Sequence, residues 1–215
     1  MRVKICGLTR EVDARAAGAA GADLVGAILV RSSPRCVDVA TALRLGRAAG
    51  RPLVLVTADL PEGELTESAR RAEAQVIQLH GSEPPSLLEA LRQEGPWELW
   101  KAVRVRSPDD ILIAASRYGG RADALLLDGW HADKLGGTGR TFPWEALMAA
   151  RAEIPPDLQL GVAGGLGPGN VGDAVARLRP DIVDVSSGVE TEPGVKDPDL
   201  VHAFLVAARA AEASG

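Results

Sequence analysis

Aromatic side chains are scarce in this 215-residue chain: two phenylalanines, one tyrosine and four tryptophans. The core must therefore be filled mainly by Val, Leu, Ile and Ala. Only two cysteines are present, Cys6 and Cys36. They make neither a metal-ligand pattern nor a disulfide framework, so reduced thiols, no metal and a cytoplasmic location are the expectation. Basic charge is in deficit. The formal net charge of -5 argues against a general nucleic-acid binder, which would show a basic face. An anionic ligand is still compatible, because backbone N–H groups and one or two arginines can hold a phosphate locally. No uninterrupted apolar stretch is long enough to cross a bilayer, and no basic n-region with an apolar h-region opens the chain. Neither a nucleic-acid nor a membrane partner is expected.

What the chain has in abundance is alternation. Strand-like apolar runs recur at Val3–Cys6, Leu24–Val30, Leu53–Thr57, Val76–Leu79, Glu98–Val103, Ala122–Asp128, Leu158–Ala163 and Ile182–Val185. Between them lie Ala-, Leu-, Glu- and Arg-rich stretches with helical spacing, such as residues 40–47 and 86–92. Ser107-Pro108-Asp109-Asp110 combines an N-cap, a first-turn proline and early acids, and Asp197-Pro198-Asp199 repeats that logic before a last helix. Successive βα units with no long linker predict an α/β fold. The expected architecture is a single (βα)8 TIM barrel spanning residues 1–215 as one catalytic domain. A doubly wound open sheet is the alternative. It would carry a glycine fingerprint after an early strand, whereas here the glycine clusters follow the seventh and eighth strands, where barrels commonly hold phosphate.

The candidate site residues stand at strand ends. Cys6 closes the first strand, and Lys4 shares its face because side chains alternate. A free thiol ionises near pH 8.5, roughly, and must be depressed to act as a base near neutrality. Helix N-termini and Lys4 are the expected sources of that depression. The competing reading is a small buried hydrophobe. Asp128 ends a run of Ala and Leu, where an unpaired buried charge is costly. It is read as a functional acid or as a structural one that caps the next helix or pairs with Lys101 or Lys134. Arg35 follows Pro34, which stiffens its loop, and guanidinium suits a planar carboxylate. Its plain alternative is a solvated surface arginine. His80 ends the fourth strand, facing a ligand or satisfying loop hydrogen bonds. The turns at Gly164-Gly165 and Ser187-Gly188 contain no lysine or arginine, which predicts a backbone phosphate cradle with Lys196 as a distant charge. Gly136-Gly137-Thr138-Gly139 lacks the Lys-Ser/Thr ending of a phosphate loop, so ATP binding is not expected. His131 and His202 receive no role.

Together these segments resemble the phosphoribosylanthranilate isomerase family. The marks are Lys4-Ile5-Cys6-Gly7-Leu8-Thr9, Ser33-Pro34-Arg35, Gln78-Leu79-His80-Gly81, Leu126-Leu127-Asp128, and Gly136-Gly137-Thr138-Gly139 with Phe142 and Trp144. They continue with Ala163-Gly164-Gly165-Leu166, Pro168, Asn170-Val171, residues 184–190 and Gly194-Val195-Lys196-Asp197, in family order over essentially the whole chain. The resemblance implies that Cys6 is the general base and Asp128 the general acid. It places Arg35 by the anthranilate moiety and the phosphate on main-chain groups around Gly164, Gly165, Ser187 and Gly188. It implies an Amadori rearrangement of a phosphosugar in tryptophan biosynthesis, without cofactor, by a monomer or homodimer. A departure is visible where the family usually has phenylalanines: the second strand reads Gly26-Ala27-Ile28-Leu29-Val30 and the third Val54-Leu55-Val56-Thr57-Ala58. Two other readings stay open. A sibling isomerase of histidine synthesis would be expected to have aspartate where Cys6 stands, and a non-catalytic phosphate binder would not need both Cys6 and Asp128.

Overall fold

The structure, a computed structural model, describes residues 1–129 and 143–214. Eight parallel strands close into a barrel in sequence order, each paired with its chain neighbours and the last with the first. They are β1 (Arg2–Ile5), β2 (Leu24–Ile28), β3 (Leu53–Thr57), β4 (Val76–Leu79), β5 (Glu98–Val105), β6 (Ala124–Gly129), β7 (Gln159–Val162) and β8 (Ile182–Val185). The intervening helices are α1 (Glu11–Ala19), α2 (Val39–Ala49), α3 (Glu62–Arg71), α4 (Pro85–Glu94), α5 (Pro108–Tyr118), α6 (Trp144–Ala150) and α7 (Val171–Leu178), followed by α8 (Pro198–Ala213). A short antiparallel ribbon, β9 (Glu190–Glu192) with β10 (Val195–Lys196), fills the connection between β8 and α8. No described helix is long and apolar enough to cross a membrane.

The helix starts follow from local chemistry. Asp197 accepts from the N–H groups of Asp199 and Leu200, and Pro198 occupies the first turn of α8, where its missing N–H costs nothing. Asp110 reaches back to the Ser107 N–H at 3.0 Å ahead of α5. The strand ends deviate from the apolar runs for reasons lying elsewhere in the fold. β6 starts at Ala124, because the Ala122 N–H is used to close α5 on the Tyr118 carbonyl. β5 runs on to Val105, because Arg104 and Val105 pair with Asp128 and Gly129 of β6. β2 stops at Ile28, and the chain turns back at Ser33 so that Val37 donates to the Ile28 carbonyl.

Alternation along the strands splits the interior into two cores. Val3, Ile5, Val25, Leu55, Ile77, Leu99, Leu127 and Val183 face outward and pack under the helices. Leu24, Val54, Val76, Trp100, Ala124 and Ile182 pack inside the barrel with Cys6. At the N-terminal mouth Arg2 forks onto Glu98 at 2.8 and 2.6 Å and reaches Gln159. Trp100 lies fully buried, with Arg2 5.2 Å from its ring centroid and its indole N–H on Glu98 at 2.9 Å. With so few aromatics in the chain, this one indole fills the middle of the barrel. Trp100→Ala should therefore destabilise the protein by about 3–5 kcal/mol, the usual range for deleting a buried aromatic. Urea unfolding measures this, and a loss under about 1 kcal/mol would mean the barrel collapses around the gap.

Candidate active site

A cavity open to solvent at its rim occupies the C-terminal ends of the strands. Its lining includes Cys6, Arg35, His80, Asp128, Gly164, Gly165 and Ser187. Gly188 stands just behind that wall, packed so tightly on the next turn that a β-carbon would collide with the Leu166 carbonyl oxygen. The structure thus brings the expected residues to one end of one cavity. Lys134, His131, Gly136–Gly139 and Phe142 lie outside the described residues.

Cys6 follows β1, its N–H on the Val185 carbonyl at 2.8 Å, and its thiol turns into the barrel. Lys4, one inward position below and fully buried, donates to Cys6 Sγ at 3.2 Å, Gln78 Oε1 at 2.6 Å and Asp184 Oδ2 at 3.2 Å. Gly26 makes room for this group, since a β-carbon there would stand 2.8 Å from Cys6 Sγ and 2.9 Å from Lys4 Cε. Asp184 Oδ1 has no hydrogen-bond partner among the described residues. Asp184 also lines the cavity, beside Cys6 and Asp128. Gln78 and Asp184 carry no local sequence signal beyond a polar residue inside an apolar run, whereas strand alternation had already put Lys4 on the face of Cys6.

Asp128 is buried, with Oδ1 accepting from the Gly129 N–H at 2.8 Å and Oδ2 3.6 Å from His80 Nε2. It does not pair with Lys101, which is buried against Glu83 at 3.1 Å and donates to the carbonyls of Leu79 and Gly81. Beside it, Gly164 takes a positive φ of 75° and leaves no room for a β-carbon, which would strike the Asp128 carboxylate. The backbone therefore passes directly against the acid. Asn170 ties this turn down, donating to the Gly165 carbonyl at 2.9 Å and accepting from the Gly167 N–H at 2.8 Å. Among the described residues the N–H groups of Gly164, Gly165, Ser187 and Gly188 have no partner.

One alternative falls and one expectation needs correction. Arg35 is not a solvated arginine: it is buried and forks onto Glu190, Nε at 2.8 Å and Nη2 at 2.6 Å. Lys196 is not distant. It is buried behind the cradle, donating to the Ser186 carbonyl at 3.0 Å and to Glu190 at 2.7 Å. Glu190 and Lys196 come from the β9–β10 ribbon, which is anchored by the Thr9 hydroxyl on the Gly194 carbonyl at 2.6 Å. Nothing local in the sequence announces that a glutamate 155 positions beyond Arg35 will clamp it.

The barrel has close counterparts. A family description for N-(5'phosphoribosyl)anthranilate (PRA) isomerase matches residues 3–207. The chain belongs to that family. A protein of Chromohalobacter salexigens named N-(5'-phosphoribosyl)anthranilate isomerase is 44% identical over 209 residues, 95% of this chain and 92% of that protein. The crystal structure of phosphoribosyl anthranilate isomerase from Thermotoga maritima matches with a TM-score of 0.87 at 32% identity, over 98% of this chain and 99% of that one. Another structure of phosphoribosyl anthranilate isomerase, in complex with reduced 1-(o-carboxyphenylamino)-1-deoxyribulose 5-phosphate, matches with a TM-score of 0.84 at 31% identity, over 98% and 99% of the two chains.

For a phosphoribosylanthranilate isomerase this cavity has an aliphatic flank. Ile28, Val30, Val56 and Ala58 line it, in and just after β2 and β3, the segments noted above as departing from the family's usual phenylalanines. The thiol also departs from expectation. Burial pushes Cys6 up from its ordinary value, and the Lys4 ammonium opposes only part of that rise. Burial works against the charge of Lys4 too, yet Asp184 and Cys6 carry it above the usual lysine range. The charge of Lys4 favours the thiolate. In a Cys36→Ser background, which removes the exposed second thiol, alkylation of Cys6 by iodoacetamide should rise with pH to a midpoint above about 8.5. Lys4→Met should move that midpoint further up. An unchanged midpoint would show that the lysine charge does not govern the thiol.

Proposed function

We propose that this chain converts N-(5-phosphoribosyl)anthranilate to 1-(2-carboxyphenylamino)-1-deoxyribulose 5-phosphate, with Cys6 as general base and Asp128 as general acid. As a family member the chain is an isomerase of tryptophan biosynthesis. The observation that carries the residue assignment is that a thiol and a carboxyl group open into one cavity beside unpartnered backbone N–H groups.

The chemistry follows from where protons must go. Asp128 gives its proton to the furanose ring oxygen as the amine lone pair expels it and the C1–O bond breaks. The resulting iminium is an electron sink that acidifies the C2 hydrogen. The Cys6 thiolate removes that proton, and the electron pair forms an enolamine. Loss of the O2 proton and protonation at C1 then give the aminoketone, with no net gain or loss of atoms. The phosphate rests on the N–H groups of Gly164, Gly165, Ser187 and Gly188, where the main chain can approach an anion closely. Arg35, with Nε and Nη2 engaged by Glu190, offers the Nη1 side of its guanidinium to the anthranilate carboxylate. His80 and Ser187 complete the polar lining toward the sugar. The working partner is thus a small phosphosugar, and a biosynthetic enzyme of this kind belongs in the cytoplasm.

Turnover is read by loss of substrate fluorescence. Cys6→Ala and Asp128→Asn should each lower kcat by about two to four orders of magnitude, the scale of a positioned acid or base. Cys6→Ser should also be poor, because a hydroxyl is far harder to ionise. Near-normal turnover in Cys6→Ala would remove the thiol from the mechanism.

Arg35→Ala should weaken aromatic carboxylate inhibitors about tenfold or more while changing inorganic phosphate binding much less. Equal weakening of both would make Arg35 a structural partner of Glu190. Lys196→Ala is unsuitable as a neutral control, since it strips a buried cation from that same carboxylate.

A further inference from the structure

Between the thiol and the carboxyl group runs a chain of side chains whose donor and acceptor roles can be deduced. Lys4 Nζ has only hydrogens to offer, and it spends them on Cys6, Gln78 and Asp184. The Gln78 atom facing it at 2.6 Å must therefore be the carbonyl oxygen. The Gln78 amide nitrogen is thereby turned to the other side, 3.3 Å from His80 Nδ1. An amide NH2 can only donate, so Nδ1 must accept and carries no proton. In the neutral ring the proton then sits on Nε2, which faces Asp128 Oδ2 at 3.6 Å.

We infer that His80 is a positioning residue for Asp128, held in its Nε2–H form by Lys4 acting through Gln78. The Gly129 N–H then hydrogen-bonds Oδ1 of Asp128, while the His80 Nε2–H stands 3.6 Å from Oδ2, beyond hydrogen-bond distance but close enough to act on its charge electrostatically. Those donors stabilise the negative charge that Asp128 acquires on giving up its proton. The same ammonium that favours the Cys6 thiolate thus also orients the environment of the acid, so that Lys4 serves both proton-transfer groups. This role rests on the reading of Asp128 as the general acid, and it differs from direct substrate contact by His80.

The test has a spectroscopic arm and a kinetic arm. In protein labelled with 15N-histidine, with His80 assigned by the signal missing from His80→Gln, the ring should show a protonated Nε2 and a bare, pyridine-like Nδ1. Gln78→Leu should abolish that preference. In kinetics, His80→Asn, whose amide is too short to approach Asp128, should lower kcat by about three- to tenfold with little change in KM, the scale of a close electrostatic contact rather than a direct hydrogen bond. His80→Gln, whose amide nitrogen reaches the place of Nε2, should recover most of the loss. A proton found on Nδ1, a tautomer indifferent to Gln78→Leu, or equal loss in both His80 variants with a raised KM would overturn the inference. Normal turnover in Asp128→Asn would instead defeat the acid assignment, while the tautomer measurement stands by itself.

Discussion

A single ammonium inside the barrel is the constraint on which the active end depends. Lys4 is fully buried, and a buried charge is tolerated only when its hydrogens are accepted from several sides. Its acceptors come from Cys6 at the end of β1, Gln78 on β4 and Asp184 on β8. Breaking the set by removing one partner would leave an uncompensated charge in the interior. The set therefore holds β1, β4 and β8 in one register around the thiol. It also explains the bare α-carbon at Gly26, where any side chain would press on Lys4 and Cys6.

The arrangement embodies a conflict between burial and charge. Enclosing Cys6 within the barrel disfavours its thiolate, while Lys4 favours it. Asp184 meets the same conflict from the other side, pushed up by burial and by neighbouring Asp128 and held down by Lys4. The burial that strengthens the Lys4 contacts thus also raises the cost of the base form. The second buried group, Arg35 with Glu190 and Lys196, is arranged differently. Two cations share one carboxylate, and Glu190 is held below the usual carboxylate range by them despite its burial. This leaves positive character at the cavity wall, where Arg35 is part of the lining.

The barrel itself was legible because its cause is local. A strand buried on both faces reads as a short apolar run, and the runs recur between helical stretches with their own start signals. The ends were legible only to within two residues. β5 gains Arg104 and Val105 because β6 offers them partners, and β6 loses Ala122 and Asp123 because α5 and its exit turn use the chain first. Cys6 and Asp128 stood out because each ends an otherwise apolar run. The aliphatic flank of the cavity was legible too, since Ile28, Val30, Val56 and Ala58 occupy recognisable strand positions.

The chain by itself thus determined the alternation of elements, the position of a thiol and an acid at strand ends, and the glycine turns after the seventh and eighth strands. These depend on side-chain period and backbone preference, which act over a few residues. Only the tertiary structure decided that Lys4 and Asp184, 180 positions apart, share a charge, that Glu190 clamps Arg35, and that Lys196 lies behind the cradle. Those pairings arise when the barrel closes β8 onto β1. Closure brings together residues from opposite ends of the chain, and no local pattern encodes which buried charge meets which.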